Sequence, residues 1–281
     1  MKIITIARNP DYSPNMATND AAILESVTEE LVRMGFIVTG IEEGTSIPEG
    51  TDVICHMARG EKALQQIENA EKDNVIAINP TNAVRHCSRI EFMRTLNDCG
   101  IMQPNFRIIE NSSELEELEY PAWIKRADGW SCHKEDVCYA ETLAEATAAM
   151  YGMKERGIGR CIYSKHINGD VIKFYGIGSK FFHCCYPNTG NTKFGLERFN
   201  GNPSYYSFNM DEMKSIADKA ATKLGLLIFG GDCIVTEEGE ILLIDINDFP
   251  SFSAIRKEAA REIAILITET AKDKNRYEKR G

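Results

Sequence analysis

The sequence is short of positive charge: 32 lysines and arginines stand against 42 aspartates and glutamates, a formal net charge of −10. A nucleic-acid surface needs a basic stripe. Nucleic acid is therefore not an expected partner, although a local basic pocket for phosphate remains compatible with this balance. No run approaches the ~18 uninterrupted apolar residues that span a bilayer, and the apolar start after Met1-Lys2 is broken at Arg8. Neither a membrane role nor a secretory signal is expected. The nine cysteines are odd in number and irregularly spaced. His183 with Cys184 and Cys185, Cys132 with His133, and His86 with Cys87 all lack the paired spacing of a zinc site. These cysteines are expected to be reduced and to pack as small apolar side chains in a cytoplasmic protein. Also missing are internal repeats, low-complexity segments and a GxGxxG dinucleotide fingerprint after the first strand.

What is present suffices for a full core. With 281 residues, 43% of them hydrophobic, the chain has room for two domains or three small ones. The β-branched run 2–7 reads as a strand that enters a polar loop, 8–19, at the sheet edge where open α/β folds bind ligands. Ile23, Val27, Leu31 and Met34 recur at helical spacing until Gly35. Strands at 36–41, 52–58 and 75–80, with a helix over 61–72, imply a mostly parallel sheet covered on both faces. Beyond it the pattern predicts a helix over 82–99, a short helix near 113–118, strands at 122–127 and 137–140, and a helix over 143–156. Strands at 161–167 and 171–178 follow, joined through Asn168-Gly169-Asp170. The stretch 188–207, rich in Gly, Asn and aromatics, is too long for a plain connection and reads as a lid. A helix over 211–224, a hairpin and a helix near 254–270 complete the chain, and 272–281 reads as a frayed end.

The hairpin organises the rest. Two apolar runs, 232–235 and 241–246, flank the turn Thr236-Glu237-Glu238-Gly239-Glu240. A two-residue loop at Glu238-Gly239 sets Asp232 opposite Asp245, with Asn247 on the face of Asp245. Facing carboxylates repel unless something neutralises them, and a hard cation with oxygen ligands does so. Magnesium is the first expectation. The competing reading makes Asn247 and Asp248 turn and cap residues before Pro250.

The order of these features resembles the ATP-grasp superfamily over about 79–252. The resemblance implies an α/β and α+β fold: an N-terminal Rossmann-like domain over 1–82, a central ATP-grasp lobe over 83–168 and a C-terminal lobe over 169–281. IDINDFP, with Asp232 thirteen positions before Asp245, is similar to the family's magnesium signature of Asp232, Asp245 and Asn247. By the same resemblance Lys125, Arg89 and Lys173 contact ATP phosphates. Ser164, Lys165 and Ile167 belong to the hinge against adenine, Asp170 lies near the ribose, and Arg198 or Lys193 holds the reacting intermediate. Lys165 replaces a common acid, the loop 128–135 has a single glycine, and Pro250-Ser251 replaces a common Pro-Gly. The implied activity is a ligase using ATP and Mg2+ to join a small-molecule carboxylate to an amine or thiol, with homodimerisation left open. KFYGIG, the aromatic after IDINDFP and His133 four residues beyond Gly129 also resemble inositol polyphosphate kinases of ATP-grasp type. A nucleotide-binding regulator without turnover is the third expectation.

Overall fold

The computed structural model describes residues 1–187 and 193–278, with side chains described as far as 272. Three four-stranded sheets form in sequence order. The first is parallel, in the order β2-β1-β3-β4, from β1 (Lys2–Ala7), β2 (Ile37–Glu42), β3 (Val53–His56) and β4 (Ile76–Ile78). Successive residues of β1 point to opposite faces, so Ile3 enters a core with α1 (Ala17–Arg33) while Ile4 and Ile6 enter another with α2 (Glu61–Lys72). Both faces of this sheet are covered, as its apolar strands require. Gly35, in left-handed backbone at φ 89°, ends the α1 segment. The stripe stops before Met34, which is 40% exposed.

The second sheet, β5-β8-β6-β7, is antiparallel and comprises β5 (Phe106–Ile109), β6 (Ala122–Arg126), β7 (Val137–Ala140) and β8 (Cys161–Lys165). The third, β10-β9-β11-β12, comprises β9 (Asp170–Ile177), β10 (Phe181–Cys185), β11 (Ile228–Val235) and β12 (Ile241–Asp248).

The predicted helix 82–99 is two helices, α3 (Thr81–His86) and α4 (Arg89–Asp98). Ser88, at φ −58° and ψ 140°, leaves helical backbone between them. The break puts Arg89 at the first position of a new helix instead of mid-helix. The predicted helix at 113–118 is only a 3-10 turn, Ser112–Leu115, whose Glu114 carboxylate accepts the N–H of Asn111 and Glu110. So few residues do not repay helix nucleation. The helix α5 (Leu143–Glu155) backs the second sheet, α6 (Met210–Leu224) backs the third, and α7 (Arg256–Glu278) runs eight residues beyond the expected end at 270. The expected frayed end is thus helical as far as 278, and 279–281 lie outside the described residues.

Alternation along β11 joins the layers. Ile228 and the β9 residues Tyr175 and Ile177 share a core with Ile3, Val53 and the inner face of α7, whereas Phe229 faces α4 and α6. Asn79, just after β4, locks this joint. Its side-chain oxygen accepts the N–H of Leu227 (2.7 Å) and Ile228 (2.8 Å), while its amide donates to the Ile228 carbonyl (2.7 Å). Asn79 is 1% exposed, so removing it leaves buried backbone groups without partners. Asn79→Ala is expected to cost at least about 2 kcal/mol, read as a lowered midpoint in denaturant unfolding.

Candidate functional site

The β11–β12 hairpin carries the acidic end of the site. Its turn differs from the sequence expectation. The Thr236 N–H donates to Glu240, and Val235 pairs with Ile241, giving a loop one residue longer than predicted. Alone, that change would move Asp245 off register. A bulge compensates: Cys233 pairs with Leu243 and Asp232 with Asp245, leaving Ile244 as the extra residue. Ile244, Asp245 and Asn247 all line one cleft as a result. The close approach is possible because Gly231 has no side chain; a Cβ there would stand 2.1 Å from the Asp245 carbonyl oxygen.

The register continues across the sheet. Asp232 pairs on its other side with Lys173, and Lys173 with Cys185. A thiol, an ammonium and two carboxylates therefore form one row across four strands, all lining a cavity of about 360 Å³. The Lys173 ammonium lies 2.9 Å from Asp232 Oδ1. Burial opposes its charge, but the Asp232 carboxylate, through both field and hydrogen bond, together with Asp245 turns the net shift upward. The expected phosphate contact is thus the partner of Asp232 here. Asn247 Nδ2 donates to Asp245 Oδ2 at 2.9 Å, which leaves its amide oxygen beside two carboxylates. That all-oxygen donor set fits a hard divalent cation. Among the described residues no group of three His, Cys, Asp or Glu side chains gathers, so a third oxygen for such a cation would have to come from the Asn247 amide.

Opposite this row stand cations. Lys125 of β6 is 8% exposed and also lines the cavity. Burial and then the nearby Arg89 charge pull its pKa from 10.5 to about 7, against the pull of Asp245 and Asp232. Arg89, at the start of α4, donates to the Arg126 carbonyl and to Ser131 Oγ, both at 3.2 Å. Its guanidinium pKa is lowered by burial. Lys193 donates to the Ser131 carbonyl at 2.6 Å and is pulled down to about 8 by burial, then by Arg59 and Arg8.

At the other end, the segment Ser164 to Ile167 lines the cavity with Trp123. The Lys165 N–H donates to the Asn105 carbonyl (2.9 Å) and the His166 N–H to that of Pro121 (3.1 Å). The Lys165 ammonium pairs with Glu119, so the substituted lysine is tied to that carboxylate. Asn200 donates to the Ile167 carbonyl at 2.9 Å and to that of Gly169 at 3.2 Å. From Lys193 onward the long stretch borders the cavity through Phe194, Gly195, Leu196, Glu197 and Asn200, with a 3-10 turn at Leu196–Asn200. Residues 188–192 of that stretch lie outside the described residues.

Two expected positions fall elsewhere. Asp170 is 3% exposed and does not line the cavity. Its carboxylate accepts the N–H groups of Ser204 (2.7 Å) and Tyr206 (2.9 Å), so it holds the far side of the long stretch rather than a ribose. Arg198 also lies off the cavity lining, its guanidinium 5.0 Å from the centre of the Phe199 ring. Sequence reasoning in turn missed Arg59 and Trp130. Arg59 follows the carboxyl end of β3, a ligand-binding position in parallel sheets, and that placement was the available signal. Asp248 is not a turn or cap residue: it is the last residue of β12, 1% exposed and paired with Arg8 and Arg59.

The Lys125 shift has a stability consequence. A lysine whose pKa falls on folding makes the folded protein bind fewer protons than the unfolded chain between about 7 and 10.5, so stability rises with pH across that window. Lys125→Met removes the buried charge. It is expected to raise Tm at pH 7 and to flatten the rise in stability between pH 7 and 10, both readable by thermal melts across a pH series.

Comparison with known proteins supplies a frame for this geometry. No family model matches the chain, and no curated protein matches it. Solved structures do. A D-alanine–D-alanine ligase from Bacillus anthracis complexed with ATP superposes with TM-score 0.74 at 13% identity, covering 99% of both chains. A RimK domain protein of ATP-grasp type from Sphaerobacter thermophilus gives 0.68 at 13% identity, over 95% of this chain and 100% of that one. The VanG D-Ala:D-Ser ligase from Enterococcus faecalis gives 0.72 at 13% identity, over 96% and 99%. At such identities the likeness is one of fold.

Proposed function

Taking the ATP-grasp fold as given, we propose that this chain is a ligase that uses ATP and magnesium to join a small-molecule carboxylate to an amine or thiol. The observation that supports it most is the presence, in one cleft, of the Asp232–Asp245–Asn247 oxygens and of the buried Lys125 and half-buried Arg89 cations. A triphosphate needs both: a hard cation on one side and fixed positive groups on the other. Residues 1–82 contribute to the acceptor end, while 83–168 and 169–281 supply the two lobes that hold the nucleotide.

In this reading Asp232, Asp245 and the Asn247 amide oxygen hold magnesium, which when bound neutralises charge on the transferring phosphoryl group. Adenine lies against Ser164, Lys165 and Ile167 near Trp123. Lys125 and Arg89 grip phosphate oxygens, Lys125 as a point charge on a flexible stem that can follow the moving group. The acceptor carboxylate attacks the γ-phosphorus and ADP leaves with the bonding electron pair. The amine or thiol then attacks the acyl carbon and inorganic phosphate departs. Lys193, with its pKa near 8, is mostly protonated at pH 7 and offers a cation to the tetrahedral oxyanion.

Phosphate approaching Lys125 favours its charged form, so ATP binding is expected to take up a proton near pH 8. Calorimetry in buffers of different ionisation enthalpy measures that uptake, which Lys125→Met abolishes while weakening ATP about ten- to a hundredfold. ATP affinity unchanged in the variant would remove Lys125 from the phosphate site.

The reaction class is tested with γ-labelled ATP, pooled metabolites and hydroxylamine. An acyl phosphate yields free labelled phosphate and a hydroxamate. Label retained on a hydroxylamine-stable alcohol phosphate identifies a kinase instead, and saturable ATP binding without turnover identifies a regulator. Asp245→Asn is expected to fold normally and to lose magnesium-dependent turnover in the same assay.

A further inference from the structure

Beyond the hairpin the cleft is closed by a buried ionic cluster whose two arginines differ in kind. Arg8 follows β1 and Arg59 follows β3, and both side chains are only 6% exposed. Arg8 is tied into the protein on all three nitrogens. Its Nε donates to the Met57 carbonyl (3.1 Å), Nη1 to Asp20 (2.9 Å), and Nη2 to Asp248 and the Phe249 carbonyl (3.1 Å). Four of its five N–H groups are engaged, and Arg8 does not line the cavity.

Arg59 does line it. Its Nε (3.1 Å) and Nη2 (2.7 Å) both converge on one oxygen, Asp248 Oδ1, and Trp130 covers one face of the guanidinium at 4.2 Å. A guanidinium has five N–H donors. Two are used, and Nη1 has no hydrogen bond among the described residues. The other nearby carboxylates are engaged: Asp20 accepts from Arg8 and the Ser13 hydroxyl, and Glu43 accepts the N–H groups of Arg59 (3.2 Å), Gly60 and Asn9 (2.8 Å). Nη1 is not among the buried polar atoms without a partner, as expected of an edge open to the cavity. Here a nine-tenths-buried cation is braced on one edge and one face, and its third edge borders the cavity. The same cavity is lined by Met16, Cys87, Trp130, Lys193, Ser253 and Ala254, and among the described residues Asp248 is the only carboxylate within ion-pair distance of Arg59.

We infer that Arg59 is the specificity-determining anchor for a second anionic group on the substrate acid, a carboxylate that is not the one activated. The substrate class is then a short dicarboxylate or a derivative retaining a free second carboxylate. This rests on the ligase reading for what happens to the first carboxylate, but the anchoring itself does not depend on turnover. Bracing by Asp248 and Trp130 pre-organises the guanidinium, so little ordering is lost when the second carboxylate docks.

The test is calorimetric titration of the full chain with malonate, succinate and glutarate, each against its monoamide, in the presence of Mg-ADP. At least one diacid is expected to bind about tenfold or more tighter than its monoamide, as a charge-assisted contact in a closed site implies. Arg59→Met is expected to erase that preference and leave ADP affinity unchanged. Arg59→Lys keeps the charge without the fork and is expected to retain a reduced preference, which covers the case in which the methionine variant fails to fold. Equal affinity for diacid and monoamide in the wild type, no binding of either across the series, or a preference that survives in Arg59→Met or is undiminished in Arg59→Lys overturns the anchor. The hydroxamate assay judges the ligase reading separately: selective diacid binding without hydroxamate leaves the anchor standing and removes the ligase, and hydroxamate from monoacids alone does the reverse.

Discussion

A single buried carboxylate fixes how the parts of this molecule meet. Asp248 ends β12 and is 1% exposed, yet it pairs with two arginines that follow the carboxyl ends of β1 and β3. Removing one partner from such a cluster leaves a buried charge without compensation, a loss of about 3–5 kcal/mol. Desolvation opposes ionisation of Asp248, but the Arg59 and Arg8 charges together hold its pKa below the ordinary carboxylate range. The parallel sheet and the hairpin are therefore held at one relative placement by charge, while the apolar core shared by Ile3, Ile228 and α7 supplies the area. Three residues upstream on the same strand stands Asp245. The register of the site and the docking of the first sheet are properties of one strand.

The cleft is electrostatically unfinished. Lys125 is buried and Arg89 half-buried with no ion pair to a carboxylate among the described residues, and their pKa values fall because desolvation disfavours their charge. In the same cleft Lys173 pairs with Asp232, while Asp245 is in no ion pair among the described residues. Such an arrangement costs folding stability, a cost that the proposed nucleotide and cation would offset.

The elements of the fold were largely legible because strand and helix periods are local. The hairpin register was legible too, but for an incomplete reason: the turn is one residue longer than expected and the Ile244 bulge restores the opposition of Asp232 and Asp245. Two departures cancel, and only alternation constrained by a buried face could require that they do. What sequence could not show depends on long-range pairing. Arg59 and Asp248 are 189 positions apart, and no local pattern tells a surface arginine from one braced under Trp130. Asp170 illustrates the opposite hazard. A carboxylate at a turn beside a segment expected to meet adenine invites a ligand role, but two backbone N–H groups from residues 204 and 206 reach it first.

Those two hydrogen bonds also define how the long stretch over the cleft is attached. Asp170 and the Asn200 bonds to residues 167 and 169 tie residues 200–206 to the hinge and the third sheet. Toward the second sheet the described attachments include aromatic contacts, Phe199 stacking on Tyr139 at 4.5 Å and meeting Trp123 edge-on at 5.5 Å, and the Lys193 hydrogen bond to the Ser131 carbonyl. Aromatic pairs of this kind contribute about 0.5–1.5 kcal/mol each beyond the area they bury. Buried charge-assisted bonds such as those to Asp170 are lost only with a desolvation penalty in addition. A separation of the second and third sheets would therefore part Phe199 from Trp123 and Tyr139, break the Lys193–Ser131 bond and carry residues 200–206 away with the third sheet. The weak seam of the cleft runs along its aromatic edge, beside the segment proposed to hold adenine.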